Sequence, residues 1–211
     1  MPLELPLLER WLTGWSLARG LPLPQPFGGG LVVEVGWPAQ IRRYVFAEAG
    51  QALQACAAHI QTPGIYLKAA VEPAQLRQAL PPIWQIEAPR SFMCCPAPMR
   101  PPGSLPVGYE AQITQEHAAT VIRLIDAAGQ TAAIGRVVLH QGTAVFDRIE
   151  TQGSHRRKGL GTHIMGALDA LAVQADASER LLVATEAGRA LYQRLGWQVV
   201  APYSTAVLPT I

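Results

Sequence analysis

The chain has 211 residues, 49% of them hydrophobic and 15% charged, with a formal net charge of +2, which suits a globular protein of one large domain or two small ones. So small a charge argues against nucleic acid or an anionic membrane as the main partner, and no apolar run approaches the ~20 residues of a membrane span. The three cysteines (Cys56, Cys94, Cys95) offer neither a disulfide framework nor a zinc spacing, so no metal is expected; without a basic leader or cleavage site, a cytoplasmic location is.

Residues 7–19 place Leu8, Trp11, Leu12 and Trp15 on one face and meet Gly20 as a stop, which predicts an amphipathic helix packed on the core as a lid. An extended Leu21–Pro26 connector and a Gly28-Gly29-Gly30 turn follow. Then come a strand (31–37), a turn at Trp37-Pro38, a strand (41–47), a helix (50–60), a strand (64–69) and a helix (73–80) stopped by Pro81-Pro82. Strands alternating with helices imply βα units with parallel pairing. The turn Ala47-Glu48-Ala49-Gly50 carries no cation, yet the element order echoes residues 143–200, which makes a degenerate second copy a hypothesis. Proline density over 96–106 marks a boundary: an N-terminal α/β region at 1–98, a spacer at 99–106 and a C-terminal domain at 107–211.

The second half reads as strands 107–114, 119–125, 132–140 and 143–151, the middle pair joined by a hairpin turn at Asp126–Gln130. Alternation in the fourth strand sets Val145, Asp147 and Ile149 against Phe146, Arg148 and Glu150. Next comes the basic glycine turn Arg156-Arg157-Lys158-Gly159-Leu160-Gly161-Thr162, which opens a helix over 159–174. Free N–H donors, a positive dipole end and glycines that admit close approach make this a phosphate cradle. It is not a P-loop, because Lys158 precedes Gly159 and Leu160 follows. It is not a dinucleotide fingerprint, because Ile164 stands where the third glycine belongs. A strand (180–185), a helix (187–195) and a final hairpin (197–201 with 204–209) complete the chain.

Arg156 to Gly161 fits the [RQ]-x-x-G-x-[GA] signature, and Ala190-Leu191-Tyr192-Gln193-Arg194-Leu195-Gly196-Trp197 resembles the A-x-x-L-Y-x-[KR]-x-G-[FW] stretch, of the GCN5-related N-acetyltransferase (GNAT) superfamily. The resemblance covers about residues 107–211. It implies an α/β (α+β) fold, a mixed, mostly antiparallel twisted sheet flanked by helices, and an acyl-CoA-dependent N-acyltransferase moving acetyl from acetyl-CoA to an amine of a small molecule or protein. By the same resemblance, Arg156, Arg157, Lys158, Gly159, Leu160, Gly161 and Thr162 hold the pyrophosphate. Ile149, Glu150 and Thr151 line the pantetheine arm, and Glu186 touches the cofactor. Tyr192 protonates the departing thiolate, and Glu150 is a candidate base for the amine. His140, His155 and His163 have no partner that spacing names. One departure stands out: the family places two helices between its first two strands, where this chain has only Gln115–Ala119. The acceptor wall is then expected from the N-terminal half. The alternative function is a non-catalytic acyl-CoA-binding regulatory module, and a homodimer paired through strands 197–209 is a candidate assembly.

Overall fold

The computed structural model describes residues 3–209. In chain order the elements are α1 (Leu5–Leu17), β1 (Gln25–Phe27), β2 (Gly30–Trp37), β3 (Gln40–Phe46), α2 (Gln51–Ala58), β4 (Ile65–Ala69), α3 (Pro73–Ala79), β5 (Gln85–Ile86) and β6 (Arg90–Cys94). After an irregular proline-rich tract come β7 (Tyr109–Glu116), β8 (Ala119–Asp126), β9 (Thr131–His140), β10 (Thr143–Thr151), a 3-10 turn (Gly153–His155), α4 (Leu160–Gln174), β11 (Glu179–Thr185), α5 (Glu186–Arg194) and β12 (Gln198–Val207).

All twelve strands join one sheet, ordered β1-β2-β3-β4-β12-β6-β11-β10-β9-β8-β7, with β5 attached to β12 off that path. Only β3–β4 and β10–β11 run parallel, each joined by a helical crossover, so the sheet is mixed and mostly antiparallel, as the sequence implies. The halves repeat one topology: β2-β3-α2-β4-α3 followed by β5 and β6, and β9-β10-α4-β11-α5 followed by β12. They also trade strands at the middle. β6, which precedes the proline-rich tract, lies between β11 and β12, while Ser204–Val207 of β12 pairs with β4.

This middle corrects the expected hairpin at 197–209. One strand runs through Pro202, where an Ala-Pro-Tyr-Ser sequence reads locally as a turn. Proline is accommodated because the ladder is already irregular between Val199 and Ala201 and the strand is about to change partners, from β6 to β4. β12 is paired with β6 over Gln198–Tyr203 and with β4 over Ser204–Val207, so it lies within the sheet order rather than at either end.

Helices cover the two faces unequally. α1 packs Leu8, Trp11 and Leu12 against Val33 and Val45 from the N-terminal half and Val145 and Leu181 from the C-terminal half. Its approach to β10 is so close that a Cβ at Gly14 would clash with the side chain of Val145. On the opposite face, α2 and α3 cover one half with Leu53 and Leu76, and α4 covers the other with Ile164, Met165 and Leu168. β7 and β8 meet in a tight turn at His117 (φ +52), and Ala18, just after α1, packs with Ala119 and Val121 of β8 and Val138 of β9. The proline-rich tract is strapped down: Met99 N donates to Asp169 Oδ2 at 2.6 Å, and Asp169 pairs with buried Arg180.

Candidate functional site

The parallel seam between β10 and β11 opens part-way. Pairing holds at Thr143↔Glu179, Ala144↔Arg180 and Val145↔Leu181, then stops, although β10 continues to Thr151 and β11 to Thr185. A bulge accompanies the opening, because Asp147 pairs with Arg136 but Glu150 pairs with Ile134, and Arg148 sits at φ +51. The bulge breaks the alternation read from the sequence. Val145 lies with the α1 core, whereas Ile149 turns to the α4 side. There a Cβ on Gly135 would come within 2.8 Å of Ile149 Cδ1. The outcome is a cleft edged by the backbone of Ile149, Glu150 and Thr151, whose polar groups are released from β11.

The cleft leads to the basic turn. Gly159 takes φ +79 as the N-cap of α4, a conformation that disfavours any side chain. The first backbone bond of α4 runs from His163 N to Gly159 O at 3.0 Å, so the N–H groups of Leu160, Gly161 and Thr162 precede the ladder. No acid occupies the first turn. Arg156, Arg157 and Lys158 are exposed, and among the described residues none of them has a salt bridge. Arg156 Nε donates to Thr151 O at 3.3 Å, tying turn to cleft. Leu160 is buried and anchors the turn, and a Cβ on Gly161 would lie 3.0 Å from Leu191 Cδ2, leaving the backbone open to an approaching anion. Lys158 also borders a depression of 530 Å³ formed with Tyr109, Asp126 and Ala128. His155 finds partners that spacing did not name: its Nδ1 lies 2.8 Å from the Tyr109 hydroxyl and its Nε2 lies 3.4 Å from Asp126. It braces the turn against β7 and β8.

Tyr192 is buried, tilted against Trp197 with ring centroids 6.3 Å apart, and its hydroxyl has no hydrogen bond among the described residues. Burial, followed by the charge of Asp147, pushes its pKa up to about 12. Glu150 is exposed beyond the bulge, and Glu186 is exposed in the first turn of α5, where Thr185 Oγ1 accepts from Gly188 N at 3.2 Å. Glu186 complements the dipole of its own helix, the ordinary role of a carboxylate there.

A buried ion-pair network adjoins the cleft on the α1 side. Asp147 is held by Arg19 (2.9 Å) and by Arg136 (Nε at 2.8 Å), which also donates to Ala18 O. Burial acts to raise the Asp147 carboxyl, but the two arginines outweigh it and hold the pKa below the usual carboxylate range. The sequence reading passed over this network. Its one local signal is the turn at Gln141-Gly142, about which Arg136 and Asp147 fall opposite each other. Among the described residues, no group of His, Cys, Asp or Glu could hold a metal ion, and no helix is long and apolar enough to cross a membrane.

The sequence profile of the Acetyltransferase (GNAT) family matches residues 80–197, more than half of the chain. The chain belongs to the GNAT family. The match begins before β6 and so takes in the strand that the N-terminal half inserts between β11 and β12. GNAT structures also resemble the whole fold. A GCN5-related N-acetyltransferase from Kribbella flavida aligns over 93% of this chain and 93% of its own, with 15% identity and a TM-score of 0.61. A GNAT-family protein from Novosphingobium aromaticivorans aligns over 96% and 99%, with 17% identity and a TM-score of 0.61. A tandem GNAT protein from the clavulanic acid biosynthesis pathway aligns over 86% and 80%, with 13% identity and a TM-score of 0.55. No curated protein matches the chain by sequence.

Proposed function

We propose that this GNAT protein is an acyl-CoA-dependent N-acyltransferase that moves an acetyl group from acetyl-CoA to a primary amine. The observation that carries the reading is the conjunction of an opened parallel seam with an unpaired cationic helix start. The three free N–H groups at Leu160–Thr162 and the cations of Arg156, Arg157 and Lys158 suit a pyrophosphate, and the depression beside Lys158 suits the nucleotide end. The edge from Ile149 to Thr151 suits an amide-bearing arm laid along it like a strand. Acetyl-CoA supplies a thioester, and an N–H on that bulged edge would polarise its carbonyl.

Tyr192 then faces the leaving sulfur. With a pKa near 12 it stays protonated at neutral pH. Full proton transfer to a thiolate of pKa ~8.5 is uphill by about 5 kcal/mol at 1.36 kcal/mol per unit. Its contribution is therefore a hydrogen bond donated to the sulfur as charge develops, with the proton following as the thiol is released. Neither carboxylate nearby serves well as a base: Asp147 is occupied by two arginines, and Glu150 points to solvent. The amine loses its proton to water, so kcat/KM rises with pH up to the acceptor's own pKa. Catalysis needs both halves, because α1 closes the acceptor side of β9 and β10. The tandem GNAT neighbour is consistent with this reading of the repeated topology.

Isothermal titration with acetyl-CoA and with CoA tests the reading. Micromolar affinity with one site per chain is expected. No binding up to ~1 mM, about −4 kcal/mol, would overturn it. Replacing Tyr192 by Phe is expected to lower kcat by about 100-fold while CoA affinity stays within about twofold. A regulatory module without turnover would register no change.

A further inference from the structure

On the α1 face, where the halves meet, two cations are buried without a carboxylate. Arg43 on β3 is 6% exposed; its guanidinium lies 3.5 Å over the Trp15 ring, one nitrogen donates to Gln40 Oε1 at 3.2 Å, and its Nε has no partner. Lys68 on β4 is 7% exposed and donates only to Thr205 Oγ1, at 2.8 Å. Its ammonium sits 5.9 Å from the centre of the Tyr203 ring, and the Tyr203 hydroxyl, fully inside, has no partner either. Among the described residues, neither cation belongs to a salt bridge.

An isolated ion in a protein interior is strongly disfavoured, and removing one partner of a buried pair is among the most destabilising of changes. A chain that keeps a guanidinium, an ammonium and a phenol together, each short of an acceptor, is arranged around an anion supplied from outside. The surroundings agree. Burial, then the charge of Arg43, pushes Lys68 well below the ordinary lysine range, outweighing the opposite pull of the Glu87 carboxylate, which forms no salt bridge with it; burial lowers Arg43 to about 10, still charged at neutral pH. The nearest carboxylate of the neighbouring network, Asp147, is already taken by Arg19 and Arg136. Arg90, directly across from Tyr203 in the ladder, is exposed and adds a further positive charge at the edge of this group.

The position is as informative as the charge. Arg19 lies over the same Trp15 ring, at 4.2 Å, and binds Asp147 beside the β10 bulge. Trp15 thus links the unpaired cations to the cleft assigned to the thioester. We propose that Arg43, Lys68 and Tyr203 form a carboxylate-binding subsite, and that the acceptor is an amino acid or a similar small amine carrying a carboxylate. The free Arg43 Nε and the phenol O–H offer two donors to a planar carboxylate, with the lysine as point charge. The acceptor assignment rests on the acyltransferase reading; the anion subsite does not.

Two readouts test it on the full chain. In the first, acetyl transfer from acetyl-CoA is followed by thiol release with glycine, 4-aminobutyrate and phenylalanine, against glycinamide, butylamine and phenylalaninamide. The carboxylates are expected to have KM values lower by about tenfold or more than their uncharged counterparts, although glycinamide and phenylalaninamide are less basic and easier to deprotonate. In the second, the sodium salts of the same amino acids are expected to raise Tm saturably at constant ionic strength, and the amides are not. Arg43→Met should fold at least as well as the parent, since it removes an uncompensated charge, yet lose both preferences. Tyr203→Phe should weaken them partway. Equal KM values for acids and amides together with no carboxylate-dependent Tm rise would overturn the proposal, and so would an Arg43→Met protein that keeps both. If acetyl-CoA fails to bind while the Tm rise persists and disappears in Arg43→Met, the subsite stands and the acceptor assignment falls with the acyltransferase reading.

Discussion

The two parallel strand–helix–strand units share a topology and differ where it matters. In the N-terminal unit β3 and β4 pair from Arg42↔Ile65 to Phe46↔Ala69, the last residue of each strand. In the C-terminal unit the pairing ends at Val145↔Leu181 and the strands run on apart. The turns differ in the same sense. Glu48 Oε1 lies 2.8 Å from where a Cβ on Gly50 would stand, so an acid lies just ahead of the short helix α2, and no cation does. Neither helix has an acid in its first turn, but α4 is preceded by the cations Arg156, Arg157 and Lys158, which have no salt bridge among the described residues. The N-terminal seam is closed with an acid beside its turn; the C-terminal seam is open with free donors and cations, which is why the proposed site is placed there. Repetition of the fold therefore does not imply repetition of the function.

The largest expected effect sharpens this contrast at two glycines. Gly161→Glu would push only against the flexible end of Leu191 while placing a carboxylate among the free N–H groups of α4. Acetyl-CoA affinity is expected to fall about 1,000-fold, roughly 4 kcal/mol, by titration calorimetry. Gly50→Glu, at the corresponding start of α2, should leave affinity within about twofold. Equal losses in the two variants would break the comparison.

What the sequence disclosed divides along similar lines. The basic glycine turn, the helix it opens and the strand before it were legible because glycines, cations and alternation are local. So were α1 and the parallel pairs β3–β4 and β10–β11. β6 and the continuity of β12 were not legible, because their pairing joins residues about a hundred positions apart, Ala201 with Phe92 for example. Pro202 read as a turn since nothing nearby discloses a strand that changes partners. Ile149 was assigned to the wrong face because one residue in a left-handed conformation, Arg148, resets the alternation, and an arginine gives no glycine-like warning. Arg43 escaped notice for a related reason: in Arg42-Arg43 one cation faces out to Glu34 and the other faces in, and only the packed sheet says which.

The second prediction contrasts Ala47, just after β3, with Asp147, inside β10 past its last pair with β11. Only the latter ties α1 to its half of the sheet. Asp147→Asn leaves Arg19 and Arg136 buried without their carboxylate, at a cost of about 3 kcal/mol in urea unfolding near neutral pH. The sign of the pH dependence follows from a folded pKa held below its ordinary value. The stabilisation is complete above the unfolded value of about 3.9 and is lost as pH falls through the folded value. The parent should therefore lose its advantage over Asp147→Asn below about pH 4. A constant gap down to pH 2 would mean that the carboxylate contributes packing rather than charge.

The smallest expected effect is the most discriminating about cause. Glu48→Lys gives the N-terminal turn the sign of charge that the C-terminal turn has, without touching the β3–β4 ladder. If charge alone separated the two units, this variant would acquire a second acetyl-CoA site. We expect stoichiometry to stay at one per chain and affinity to stay within about twofold, because a phosphate-friendly helix start still leaves the acyl arm nowhere to lie. The five paired positions from Arg42↔Ile65 to Phe46↔Ala69 satisfy their own backbone groups, and opening them would cost several hydrogen bonds at about 1 kcal/mol each. A measured stoichiometry of two would show instead that the seam yields to the ligand, and that the acid at Glu48 is what keeps the N-terminal unit from binding.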